Sequence, residues 1–225
     1  MKVVVITGAS RGIGLATTKK FLAEGWRVIG AYQNTSIPVH SENLVAVRLD
    51  QGSPESIRSA AEEIKKITPE IDALVNSAGI ILDAHDTAID LEKVRKTIEV
   101  DLLGAIDLTE RLLPHMSAGS HIINVDSSYG AFSLPIDDQT SAGYRIAKAA
   151  FNMYTRTLAF RLKDAGVIVS SLDPGWVKTD MGMAGATETE KPDREPEEPA
   201  SEIYQLVEGV TESGYFWQFG KKREW

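Results

Sequence analysis

Short runs of aliphatic and β-branched residues recur along this chain, and longer segments with helical period separate most of them. The apolar runs fall at residues 3–6, 27–31, 44–49, 71–76, 121–125 and 167–172. Helical spacing is read over residues 14–24, 54–67, 91–116 and 144–165, with Gly25 and Gly166 as helix stops. Strands without alternating polarity are buried on both faces, and strand–helix alternation sets them parallel with helices above and below. The expected fold is α/β: a single-domain Rossmann fold, a doubly wound parallel sheet with helices on both faces, over residues 1–225. One segment departs from the pattern. Residues 187–199, TETEKPDREPEEP, are rich in acid and proline and carry no apolar stripe, so a loop or flap is expected. A helix over 201–212 and a strand-like stretch, SGYFWQFG, follow.

The 225 residues carry 24 Lys and Arg against 32 Asp and Glu, a net charge of −8 that disfavours nucleic-acid or anionic-membrane binding. The absence of cysteine excludes disulfides and thiolate chemistry. No apolar run approaches the ~20 residues of a membrane helix. Gly, Ser and Arg interrupt the first apolar run, so it does not read as a signal peptide, and a cytoplasmic location is expected. His40, His85, His115 and His121 lack ligand spacing, so no metal is expected. Met153, Met181 and Met183 read as packing or pocket-lining residues.

Between the first strand and first helix lies Thr7-Gly8-Ala9-Ser10-Arg11-Gly12-Ile13-Gly14. Glycines there permit a tight turn and let the backbone approach a pyrophosphate at the helix N-terminus. Later, Tyr144 and Lys148 stand four apart on a helix, so an ammonium can lie near a phenol and lower its pKa from ~10.

The spacing TGxxxGIG resembles the short-chain dehydrogenases/reductases. Three further motifs follow in the family's order: Asn76-Ser77-Ala78-Gly79, Tyr144-Arg145-Ile146-Ala147-Lys148, and Pro174-Gly175-Trp176-Val177-Lys178-Thr179. YRIAKAAFNMYTRTLA, LDPGWVKTDMG and SGYFWQFGKKREW look like the C-factor and sniffer-type carbonyl reductase branch. The resemblance implies an NADP(H)-dependent oxidoreductase that transfers hydride between nicotinamide and a carbonyl or alcohol. Tyr144 is its acid/base. Ser127 holds the carbonyl oxygen, with Ser128 the neighbouring alternative. Lys148 binds the nicotinamide ribose. The backbone around Pro174, Gly175 and Val177, with Thr179, holds the carboxamide. Gly8, Ser10, Arg11, Gly12, Ile13 and Gly14 take the phosphates, and Tyr32, Asp50, Gln51, Asn76, Ala78 and Gly79 complete the cofactor set.

Two departures bear on function. Asp101 stands where the family commonly has an Asn that holds a relay water; its carboxylate either pairs with Lys148 or still holds that water. The Ser127-to-Tyr144 separation is also longer than usual, with the excess in LPIDDQTSAG. At the end of the second strand, Ala31-Tyr32-Gln33 offers no carboxylate against a 2′-phosphate, and Arg11 resembles the basic residue of NADP-preferring members. NADP(H) is favoured over NAD(H). The rival readings are an NADP(H)-binding regulator with little turnover and a 3-oxoacyl carrier-protein reductase. The resemblance further implies a homodimer or homotetramer paired through the 91–116 and 144–165 helices. It also implies a substrate lid near residues 181–200 and a small-molecule substrate bound by loops at 83–87, 133–143 and 181–200.

Overall fold

The computed structural model describes residues 1–136 and 138–225. Seven parallel strands and one antiparallel strand form a single sheet, β1 (Val3–Thr7), β2 (Arg27–Tyr32), β3 (Leu44–Arg48), β4 (Ala73–Asn76), β5 (His121–Val125), β6 (Ile168–Asp173), β7 (Tyr215–Gln218) and β8 (Lys221–Arg223), in the order β3-β2-β1-β4-β5-β6-β7-β8. This is the doubly wound α/β fold read from sequence. β1 pairs in parallel with both β2 and β4, so strand order reverses there and a crevice opens beyond the carboxyl ends of these strands.

The helices are α1 (Gly12–Ala23), α2 (Pro54–Ile67), α3 (Leu91–Ile98), α4 (Gly104–Leu112), α5 (Ala142–Arg161), α6 (Asp180–Ala184) and α7 (Glu197–Gly209). Alternation along β1 divides the core in two. Val3 and Val5 pack with Ile57 and Ile64 of α2, Leu108 and Leu112 of α4 and Leu158 of α5. Val4 and Ile6 pack on the opposite face with Phe21 of α1 and Ile203 and Leu206 of α7. Local chemistry starts these helices where the sheet needs them. Ser53 accepts from the Ser56 amide ahead of Pro54, and Asp90 accepts from the Glu92 and Lys93 amides.

Several boundaries differ from expectation. The first helix begins at Gly12, inside the glycine loop. The 91–116 helix is broken by a π-turn at Glu99–Leu103 and closes in a 3₁₀ turn. The helix carrying Tyr144 runs Ala142–Arg161 rather than 144–165. The 187–199 segment is only partly loop, because α7 starts at Glu197, where Pro199 falls in a first turn that needs no amide donor. Just before it, Arg194 is half-buried, with a bridge from Glu202 at 2.6 Å and a bond to the Pro174 carbonyl. β8, unforeseen in the sequence reading, turns back antiparallel on β7.

Candidate active site

Two side-chain networks bring the site together. Asn76 donates to Asn124 Oδ1 at 2.8 Å and to Thr109 Oγ1 at 3.0 Å, and Asn124 donates to Thr155 Oγ1 at 2.8 Å. These bonds lock β4 and β5 against α4 and α5 beneath the crevice. Asp83, in the loop after β4, accepts from the Gly143 amide at 2.6 Å and so caps the helix that carries Tyr144 and Lys148. The sequence reading put Asp83 in a substrate loop at 83–87, and its capping of a helix sixty positions away has no local signal.

The crevice has a volume of about 610 Å³. Of the residues the sequence reading assigned to the cofactor, Gly8, Ser10, Arg11, Gly12, Ile13, Gly14, Tyr32, Asp50, Gln51, Ala78, Gly79 and Thr179 line it. Gly8 and Gly12 have φ of +68° and +54°, and a Cβ on Gly8 would lie 3.0 Å from Ala78 Cα. The Thr7 hydroxyl, not singled out from sequence, accepts from the Ser77 and Ala78 amides at 3.0 Å each and sets the spacing between the two loops. Lys19, Lys96 and Lys178 add positive charge to the lining beside Arg11. Arg11 itself bridges Asp180 of α6 at 3.0 Å, an exposed pair of little strength.

Asn76 does not reach this lining. Its amide is consumed in the buried network below. Pro174, Gly175 and Val177 also lie off the crevice lining, although Thr179 joins it and touches the space above Gly12.

The catalytic candidates stand off the crevice lining, behind its Gly79 wall and around Lys148. Its Nζ donates to the Val125 carbonyl at 3.1 Å, lies 3.7 Å from Asp101 Oδ2, and sits 5.4 Å from the Tyr144 ring centre. Asp101 Oδ1 accepts from the Ile80 amide at 2.8 Å. Asp101 thus forms the ion pair with Lys148, one of the two roles open to it. The π-turn that carries it widens the helix at this point, a distortion common at functional sites. Ser127 Oγ accepts from the Tyr129 amide at 3.2 Å, and the Ser127 amide donates to Asp126 Oδ1 at 2.9 Å. Tyr129 and Tyr144 meet edge to face at 6.2 Å.

The electrostatics correct the sequence reading of Tyr144. Lys148 does pull its pKa down, but burial outweighs the cation and Asp101, Asp126 and Asp173 oppose it. The phenol is pushed up to about 12. Burial opposes the Lys148 charge too, yet the surrounding anions hold its pKa above the ordinary value. Asp101 is raised by burial to about 6 despite Lys148. Asp126, fully buried, is raised by burial to about 8. Asp126 and Asp173 are thus site residues the sequence reading missed. An acid directly before the serine, and another before the Pro174 turn, were the available signals.

The family profile described as short chain dehydrogenase matches residues 2–190. The chain belongs to this family. Among relatives, dehydrogenase/reductase SDR family member 7B of Mus musculus is 29% identical over 201 residues, covering 82% of this chain. This short-chain dehydrogenase spans 60% of that mouse protein's length. The 3-oxoacyl-acyl-carrier-protein reductase FabG of Escherichia coli (strain K12) is 32% identical over 190 residues, 81% of this chain and 76% of that one. The NADPH-bound carbonyl reductase from chicken fatty liver superposes with a TM-score of 0.87 at 26% identity, over 100% of this chain and 94% of that one. No helix among the described residues is long and apolar enough to cross a membrane.

Proposed function

We propose that the chain is an NADP(H)-dependent carbonyl reductase or alcohol dehydrogenase. The observation that carries this reading is the packing of the turn that follows Ser127 onto the helix that bears Tyr144 and Lys148, at the carboxyl edge of the sheet beside a glycine-lined crevice. The crevice residues fit a nicotinamide dinucleotide. The Gly8–Gly12 turn leaves room for a pyrophosphate against the start of α1. Tyr32 and Gln33 at the tip of β2 bring no carboxylate against a 2′-phosphate, and Arg11 supplies a cation there. Bound there, the cofactor supplies or accepts hydride at its nicotinamide ring. Tyr144 delivers a proton to the carbonyl oxygen in reduction and takes one from the alcohol in oxidation. Ser127 donates to that oxygen and stabilises the charge it gains. Lys148 favours the phenolate against the burial that opposes it, and offers its remaining hydrogens to the ribose. Within residues 181–200, the stretch ahead of Arg194 serves as the substrate lid, and the Val177–Arg194 bridge and α7 anchor its far end.

A second reading, a nucleotide-binding protein with slow turnover, draws on one observation: the buried Asp101 carboxylate pairs with Lys148 and raises the Tyr144 pKa. One assay separates the two. NADPH oxidation at 340 nm is followed with aldehydes, ketones, diketones and a carrier-linked 3-oxoacyl thioester. Tyr144→Phe should lose at least ~10²-fold in kcat while NADPH still binds by calorimetry. Turnover undiminished in Tyr144→Phe would overturn the reductase reading. Tight binding without turnover, restored in Asp101→Asn, would favour the sensor. Preference for the thioester over free ketones would replace the substrate class with carrier-linked acyl groups.

We also assign homo-oligomerisation to the outer face of α5. Ile146, Met153 and Phe160 stand seven apart and are exposed, Phe160 by 84%.

A further inference from the structure

We infer that residues 221–225 are a clasp that positions both walls of the substrate mouth, with Arg223 and Trp225 as its positioning residues. The inference rests on the reductase reading for what the mouth binds, but the clasp itself is carried by contacts independent of that reading.

One arm grips the turn after β6. Asp173 ends that strand with its side chain buried, and its Oδ1 accepts from the Gly175 amide at 2.9 Å. Its Oδ2 takes Gln218 Nε2 at 2.6 Å and Arg223 Nη1 at 3.1 Å, and Arg223 donates also to Gln218 Oε1 at 3.0 Å. A carboxylate this deep needs a cation, and β8 delivers it. Burial raises the Asp173 pKa, while Gly175, Arg223 and Ser128 act in the opposite direction. The carboxylate therefore ties the Pro174–Gly175 turn to the residue after Ser127.

The other arm grips the loop after β5. The Ser133 amide donates to the main-chain oxygen of Trp225 at 2.9 Å, and Ser133 Oγ to that of Glu224 at 3.2 Å. The loop so held presents Phe132, Leu134 and Ile136 to solvent. It follows Ser127 directly, so its position sets what can approach the serine. The clasp is itself anchored. The Trp225 ring stacks on Phe216 of β7 at 5.4 Å and 17°, and the Arg156 guanidinium from α5 lies 5.6 Å from it. β8 and the two residues after it thus add a further tie among the serine loop, the Pro174 turn and α5, which also meet where Gly130 approaches Lys148 and where Ser128 approaches Asp173. A strand serving merely to cover a sheet edge would not require two hydrogen bonds to one serine of the substrate loop.

The test uses the full chain as wild type, Trp225→Ala, Trp225→Phe and Arg223→Met. Hydrogen–deuterium exchange is read over residues 131–136, alongside KM for a reducible ketone, kcat, and the Kd for NADPH. Trp225→Ala should speed exchange in 131–136 roughly tenfold, because the ring no longer anchors the oxygens that Ser133 uses. KM for the ketone should rise roughly five- to tenfold with kcat and NADPH Kd within about twofold, and Trp225→Phe should restore both readouts. Arg223→Met should raise KM with the same split. Unchanged exchange in 131–136, or KM, kcat and NADPH Kd worsening together in every variant, would overturn the clasp. If the wild type reduces no ketone, the reductase reading fails, and exchange in 131–136 alone still decides for or against the clasp.

Discussion

Lys148 sits among acids, and which of them holds a proton governs both the chemistry and the stability of the site. Asp126 has the largest consequence. Its carboxyl releases a proton near 3.8 when unperturbed and near 8 when folded, with burial the main cause and Lys148, Asp173 and Asp101 the charges around it. Across that window the folded chain keeps a proton that the unfolded chain has lost, so stability declines as pH rises from about 4 to about 8. Asn at this position still accepts from the Ser127 amide but carries no charge. Asp126→Asn should therefore match wild type near pH 4 and exceed it increasingly up to pH 8, by roughly 2–4 °C in Tm for each kcal/mol of relieved desolvation. His121, lowered by burial to about 4, acts in the opposite sense, but it is common to both proteins and drops out of the difference. Thermal melts in a pH series read the effect; parallel curves would show that Asp126 is ionised in the folded chain at every pH.

At the scale of elements, the site depends on how closely the turn after β5 approaches α5. A Cβ on Gly130 would lie 2.5 Å from the Lys148 carbonyl carbon and 2.6 Å from the Ala149 nitrogen. Both are helix backbone and cannot yield as a flexible side chain would. Gly130→Ala should force the turn away from the helix, at a cost of about 1–3 kcal/mol. Because Ser127 and Lys148 ride on the two elements being separated, kcat should fall roughly tenfold or more. NADPH binding, built on the β1–α1 turn and β4, should persist. Calorimetry beside steady-state kinetics measures the contrast; loss of NADPH binding in step with kcat would mean the damage had spread to the crevice. The helix pattern of α5 was legible in the sequence, but its faces were not. Ala147, Phe151, Tyr154, Leu158 and Leu162 suited a core or an interface equally, and folding has buried or packed all five against the core.

For the whole molecule, that assignment leaves Ile146, Met153 and Phe160 as the exposed apolar row on α5. A monomer gains nothing from such a row, whereas two copies meeting there would remove it from water at about 25 cal/mol per Å². The double variant Met153→Glu, Phe160→Glu should shift the protein to a monomer in analytical ultracentrifugation without lowering its NADPH affinity. A wild type already monomeric at high micromolar concentration would remove the interface from consideration.

The sequence by itself determined the strand order's raw material, the glycine turn and the pairing of Tyr144 with Lys148, because these depend on local period and on residues a few positions apart. Only the tertiary structure decided that Asp101 pairs with Lys148, that Asp126 crowds the same cation while Asp173 takes Arg223, and that Asn76 serves a buried network instead of the crevice. It also decided that Arg194 and α7 tie down part of the acidic segment, and that β8 reaches back to Asp173 and Ser133. Each of these joins residues tens of positions apart. Their energies turn on burial, which pushes the Tyr144 pKa up where the neighbouring ammonium alone would have lowered it. Burial is a property of the packed chain, and no pattern of spacing carries it.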